Sequence, residues 1–144
     1  MAVLNLTKRT VTSTHPSATV QETVGKMAEL KISAILVMDN GKLCGIFTER
    51  DLLRRVVAKN LNPMELPVSE VMSSPARTVE VSSAPEEALR IMHDFEIRHL
   101  PVVDPDLGVL GILSLPALLN HRIGQLNLET KSLAAFIHAD GPGG

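Results

Sequence analysis

Thr48, Glu49, Arg50 and Asp51 set a hydroxyl, two carboxylates and a guanidinium side by side in four consecutive residues. An apolar run ends at Phe47, and a helix is expected to begin after Thr48 and to continue to about Lys59. Thr48 then caps that helix, and Asp51 at its third position reaches back to close a capping box. The same arrangement can hold a ligand. Free N–H groups at a helix start attract phosphate. A carboxylate placed there repels phosphate but accepts hydrogen bonds from a vicinal diol. Asp51 therefore suits the two hydroxyls of a ribose, and Thr48 with the neighbouring backbone N–H groups suits a ribose–phosphate junction. The capping box by itself also accounts for both residues. Arg50 and Arg54 lie on the same helix and read first as surface charges, with Arg50 kept among the candidate ligand contacts.

Other reactive side chains carry weaker signals. Arg98 and His99 stand at the start of an apolar run, where a basic pair is not expected from packing; a solvated strand end is the alternative. Ser33, Ala34 and Ile35 begin a similar run, and the small pair Ser33-Ala34 suits either close sheet-to-helix packing or close approach of a ligand. His15, His93, His121 and His138 show no metal-ligand spacing, and His93 and His99 are not a recognised pair. Cys44 has no CxxC partner or nearby histidine and reads as an inert core thiol. Glycine-rich nucleotide loops and the G-x-S-x-G nucleophile motif are absent. No catalytic constellation and no metal site are expected.

These residues recur in register because the chain repeats itself. Ile32-Ser33-Ala34-Ile35-Leu36-Val37-Met38-Asp39 lies over Ile97-Arg98-His99-Leu100-Pro101-Val102-Val103-Asp104, 65 residues later. Gly45-Ile46-Phe47-Thr48 lies over Gly111-Ile112-Leu113-Ser114 at a spacing of 66, because the second turn is one residue longer. In the first copy Ser17 or Thr19 can cap a helix over 20–30 whose apolar face holds Val24, Met27, Ala28 and Leu30. A strand over 34–38, the hairpin signal Asn40-Gly41 and a return strand over 43–47 follow. The second copy repeats this as helix 85–95, strands 99–103 and 109–113, and helix 115–126. Short strands near 10–12 and 78–81 would enter each copy. The fold class is thus α/β (α+β), with two β-α-β-β-α units packed sheet to sheet. A copy of about 50 residues buries too little surface to stand comfortably alone, and pairing the copies leaves clefts where ligands can sit.

The expected organisation is a first unit over 1–60, a proline-bearing linker over 61–75, a second unit over 76–122, and a C-terminal helix with a frayed tail over 123–144. Within the linker, Val68-Ser69-Glu70-Val71-Met72 suits a short docked helical turn. Leu119, Ile123, Leu126, Leu133 and Ile137 give the last helix an apolar stripe. The chain has 144 residues, 44% of them hydrophobic and 21% charged, so a buried core is attainable. Aromatic residues make up only 2%, so aliphatic side chains must fill that core. A net charge of −2 gives no electrostatic reason to expect nucleic acid or an anionic membrane as partner. The single cysteine suits a reducing compartment. With no signal-like or membrane-spanning apolar stretch, a soluble cytoplasmic protein is expected.

The repeated stretches resemble the CBS domain family, and specifically a tandem CBS pair of the small stand-alone kind. The resemblance is carried by Lys31 to Val37, Gly45 to Asp51, Val68 to Met72, Ile97 to Asp104 and Gly111 to Ser114, and covers about residues 3–120. It implies a non-catalytic regulatory module that requires no cofactor. Its implied ligand is an adenosine-type nucleotide: AMP, ADP, ATP, NAD or S-adenosylmethionine. It also implies a homodimer and a regulated partner protein. By the resemblance, Thr48 and Asp51 hold the ribose, the backbone of Ser33 and Ala34 lies beside adenine, Arg98 and His99 face phosphates, and Ile35 and Ser114 are further candidate ligand contacts. In the second copy Ser114 matches Thr48 but Ala117 stands where Asp51 stands. Hydrogen bonds to a charged group contribute about 1.5–3 kcal/mol each. The first site is therefore expected to be competent and the second weak, empty or used differently. A ligand-independent dimerisation or interaction module is the competing reading, supported by Ala117 and the apolar last helix.

Overall fold

The computed structural model describes residues 2–140, with side chains up to residue 128 and at residue 130. The stripe positions Leu133 and Ile137 and the tail at 141–144 lie outside the described side chains and residues. The first repeat consists of β1 (Ser13–Thr14), α1 (Val20–Leu30), β2 (Ala34–Asp39), β3 (Lys42–Thr48) and α2 (Glu49–Asp51). The second consists of β4 (Val79–Glu80), α3 (Pro85–Phe95), β5 (His99–Asp104), β6 (Gly108–Ser114) and α4 (Leu115–Asp140). Each repeat forms a three-stranded sheet, in the orders β1-β2-β3 and β4-β5-β6. The short entering strand runs parallel to the central strand, and the hairpin partner runs antiparallel.

Local chemistry explains the boundaries. Thr19 caps α1 by accepting from the Glu22 N–H at 3.1 Å. Lys31 ends α1 in the left-handed region at φ 55°, and its counterpart Glu96 ends α3 at φ 53°. Asn40 and Gly41 both have positive φ, the primed turn that suits strand twist. In the longer second turn, Asp104 Oδ1 accepts from the N–H groups of Asp106 and Leu107, and Gly108 takes φ 78°. The helix expected over 48–59 departs from the regular form. After Asp51 it widens into a π-helix over Leu52–Val57, a feature frequent at functional sites. The helices expected over 115–126 and 123–144 are one continuous α4.

Strand alternation divides the core into three layers. Ile35, Val37 and Phe47 face the first repeat's helices. Leu100, Val102 and Leu113 do the same in the second. Ala34, Leu36 and Ile46 face the opposite sheet, where they meet Val109 and Ile112. The two sheets therefore pack face to face, and the ends of their central strands meet at a groove.

The repeats also exchange their lead-ins. Residues 3–8 dock on the second repeat: Val3 is buried in its core, and Lys8 pairs with Ile112 through two backbone bonds of 3.1 Å. Residues 68–73 dock on the first repeat: Val68 and Val71 enter its core, and Ser73 pairs with Ile46. Packing thus crosses the sequence boundaries drawn at residues 60 and 76. A Cβ on Gly45 would sit 2.7 Å from Met72 Sδ and from the Ser73 carbonyl oxygen, and one on Gly111 would strike the Lys8 carbonyl oxygen. The repeated glycine is where the other repeat's lead-in backbone crosses the strand.

Candidate functional site

β3 ends at Thr48, whose extended backbone turns the chain into α2. The Thr48 hydroxyl accepts from the Asp51 N–H at 3.2 Å, and Asp51 Oδ2 accepts from the Thr48 N–H at 3.1 Å, so the capping box is complete. Asp51 is only 6% exposed, and it is the one buried ionisable residue among the described residues. A buried carboxylate requires partners. Besides Thr48, Asp51 has the Ser73 hydroxyl donating to Oδ1 at 3.1 Å and Arg55 Nε 3.6 Å from Oδ1. Arg55 also donates to the Met72 carbonyl at 2.8 Å, which ties α2's π-helical extension to the crossing lead-in.

Asp51 lines a cavity of about 580 Å³ at the junction of the repeats. Ser33, Thr48, Glu49 and Arg50 line it from the first repeat, and Phe95, Ile97, Arg98 and His99 from the second. The lead-in contributes residues 72–77. Polar links span the cavity. Arg50 Nη1 donates to the Glu96 carbonyl at 2.6 Å, and Ser33 Oγ lies 3.0 Å from His99 Nε2. Burial holds the His99 imidazole below its usual pKa; the Glu49 carboxylate opposes that shift and the Arg98 guanidinium adds to it. Arg77 stacks its guanidinium 3.8 Å from the centre of the Phe95 ring. Four guanidiniums, of Arg50, Arg55, Arg77 and Arg98, face two carboxylates, of Glu49 and Asp51, so the wall carries net positive charge.

The cavity gathers six of the nine residues singled out from the sequence: Ser33, Thr48, Arg50, Asp51, Arg98 and His99. Ala34, Ile35 and Ser114 lie outside its lining. Ala34 is in the layer between the sheets, and Ile35 points to the helices of its own repeat. Ser114 accepts from the Ala117 N–H at 3.3 Å as the helix cap of the second repeat. Sequence reasoning missed Arg55, Ser73, Arg77 and Phe95. The spacing of Arg55 four residues beyond Asp51 was a usable signal. Ser73 had none, because nothing local tells that a linker residue crosses β3.

Comparison with known proteins decides the family. The sequence model of the CBS domain matches twice, over residues 3–58 and 68–124. The chain belongs to the CBS domain family. Its two matches make it a tandem CBS pair. It is 40% identical over 103 residues to the CBS domain-containing protein CBSCBSPB1 of Arabidopsis thaliana, covering 72% of this chain and 19% of that protein's length. A protein with CBS domains from Burkholderia ambifaria superposes with a TM-score of 0.81 at 32% identity, covering 86% of this chain and 95% of the other. The CBS pair of protein MJ0100, in complex with 5′-methylthioadenosine and S-adenosyl-L-methionine, has the same fold, with a TM-score of 0.78 at 21% identity over 87% of this chain and 98% of the other.

Proposed function

We propose that this CBS pair is a non-catalytic regulatory module that binds an adenosine-type nucleotide in the cavity between its repeats. The observation that carries the proposal is the buried Asp51 carboxylate, held by Thr48 at the edge of a positively charged cavity large enough for such a ligand. Asp51 accepts the ribose diol. The phosphates lie toward Arg98, His99 and the other cavity arginines, where bidentate guanidinium contacts are strong. The neutral His99 donates or accepts one hydrogen bond without adding charge. The adenosine derivatives bound by the MJ0100 pair are in keeping with this ligand class. Occupancy draws the repeats together across the Arg50–Glu96 and Ser33–His99 links, and a partner protein reads the shifted population. The second repeat has Ala117 in place of the acid and is a weak or vacant site by the same reasoning.

A second copy of the chain is the expected partner. Leu53 and Val57 are exposed in the first repeat, and their counterparts Leu119 and Ile123 are exposed in the second. The same two positions left uncovered in both repeats suit a two-fold, self-complementary interface. Calorimetry with AMP, ADP, ATP, NAD and S-adenosylmethionine tests the ligand proposal. At least one is expected to bind and to be weakened strongly in Asp51→Ala; silence across all five would leave the pair as a ligand-independent dimerisation module.

A further inference from the structure

The carboxylate that would take the ribose is already engaged. Ser73 reaches it from the crossing lead-in and donates its hydroxyl at 3.1 Å from Oδ1 and 3.4 Å from Oδ2. Thr48 uses Oδ2 through both its N–H and its hydroxyl. A carboxylate offers about four acceptor positions; Thr48 takes two and Ser73 a third, while Arg55 Nε, 3.6 Å from Oδ1, is an ion-pair neighbour outside hydrogen-bond range. A diol needs two of those positions, so it cannot be accommodated while Ser73 stays in place.

The internal repeat supplies an independent comparison. Ser73 pairs with Ile46, and Lys8 pairs with Ile112, so Lys8 is the structural counterpart of Ser73. Ala117 is the counterpart of Asp51. Where the acid is absent, the hydroxyl is absent too: the Asp51–Ser73 couple of one repeat is an Ala117–Lys8 couple in the other.

We infer that Ser73 is an internal occupant of the diol position, which a nucleotide must displace. This rests on the nucleotide reading of the cavity and adds a residue that sets its affinity and its response. In the empty module the Ser73 hydroxyl completes the hydrogen bonding of Asp51 beside Thr48 and Arg55. On binding, the ribose hydroxyls replace it and the Ser73 side chain turns away. Ser73 begins the stretch through Ser74, Pro75, Ala76 and Arg77 that lines the cavity and then enters β4 of the second repeat. Displacement therefore acts on the segment that joins the repeats, and sugar recognition in one repeat is passed to the other.

Titrating the full chain and its Ser73→Ala variant with AMP and 2′-deoxy-AMP tests this. Ser73→Ala leaves the backbone pairing with Ile46 intact. It should tighten AMP roughly 10- to 100-fold, the equivalent of one hydrogen bond to a charged acceptor, about 1.5–3 kcal/mol. The gain should be smaller for 2′-deoxy-AMP, which claims one fewer acceptor position. Ser73→Thr, which keeps the hydroxyl, should keep wild-type affinity. AMP binding to Ser73→Ala that is unchanged or weaker than wild type would overturn the inference while leaving the nucleotide reading standing. Binding only to Ser73→Ala would support it in its strongest form. Where neither protein binds AMP, the same pair is titrated with ADP, ATP, NAD and S-adenosylmethionine, and silence across all five overturns the nucleotide reading of this cavity and the inference with it.

Discussion

Gly111→Ala tests the lead-in exchange on which the architecture depends. The backbone at Gly111 is not left-handed among the positive-φ glycines, so the added methyl group meets sterics alone. It would strike the Lys8 carbonyl oxygen and lie 2.8 Å from Thr7 Cγ2. Two responses are open. The lead-in can stay docked under strain, at about 1–3 kcal/mol for overpacking. Alternatively it can detach, losing the two Lys8–Ile112 backbone bonds, about 1 kcal/mol each, and the burial of Val3, about 1.5–3 kcal/mol. Detachment would cost about 3.5–5 kcal/mol in all, so the strained, docked state is cheaper and the expected loss is about 1–3 kcal/mol. Gly25→Ala is the control: it lies inside α1 with nothing within 4 Å of its Cβ and should gain about 0.5–1 kcal/mol. Denaturant unfolding of both variants reads the difference. A Gly111→Ala protein within about 0.5 kcal/mol of wild type, the range of ordinary surface substitutions, would refute the crossing.

Asp51→Ala should weaken the best adenylate by roughly 10- to 100-fold or more, the loss of at least one hydrogen bond to a charged acceptor, read by calorimetry. His99 has its folded-state pKa lowered by burial, so the unfolded chain takes up its proton first. Its contribution is constant above the unfolded value of about 6.5 and stability is lost as pH falls through that value toward the folded one. His99→Gln should flatten that limb of a stability-against-pH curve. Ile123→Glu places a charge on the apolar face repeated at Val57 and should shift sedimentation from dimer toward monomer; a monomeric wild type would contradict the dimer.

Much of the fold was legible because its signals are local and occur twice. The helix over 20–30 follows from capping and periodicity, the helix over 85–95 from the repeat, and the hairpins from Asn40-Gly41 and its longer counterpart. Thr48 and Asp51 were legible as a capping box, and the structure forms it. The exchange of lead-ins was not legible. Val3 reads as a loop residue, and Val68, expected in a short docked helical turn and found in one, carries no local sign of which repeat it docks on. For the same reason Gly45 and Gly111 were recognised as a repeated motif without their steric cause. Ser73 and Arg77 reach the cavity only because the linker crosses β3, a long-range placement that no local pattern encodes. The π-helix after Asp51 was also hidden, since Leu52 to Val57 reads as ordinary helix.

A crystal structure of the protein grown with AMP shows whether Asp51 is the sugar acceptor. Both ribose hydroxyls are expected within hydrogen-bonding distance of the Asp51 carboxylate, with the phosphate toward Arg98 and His99. AMP bound elsewhere, with Asp51 still closed by Thr48 and Ser73, would contradict it.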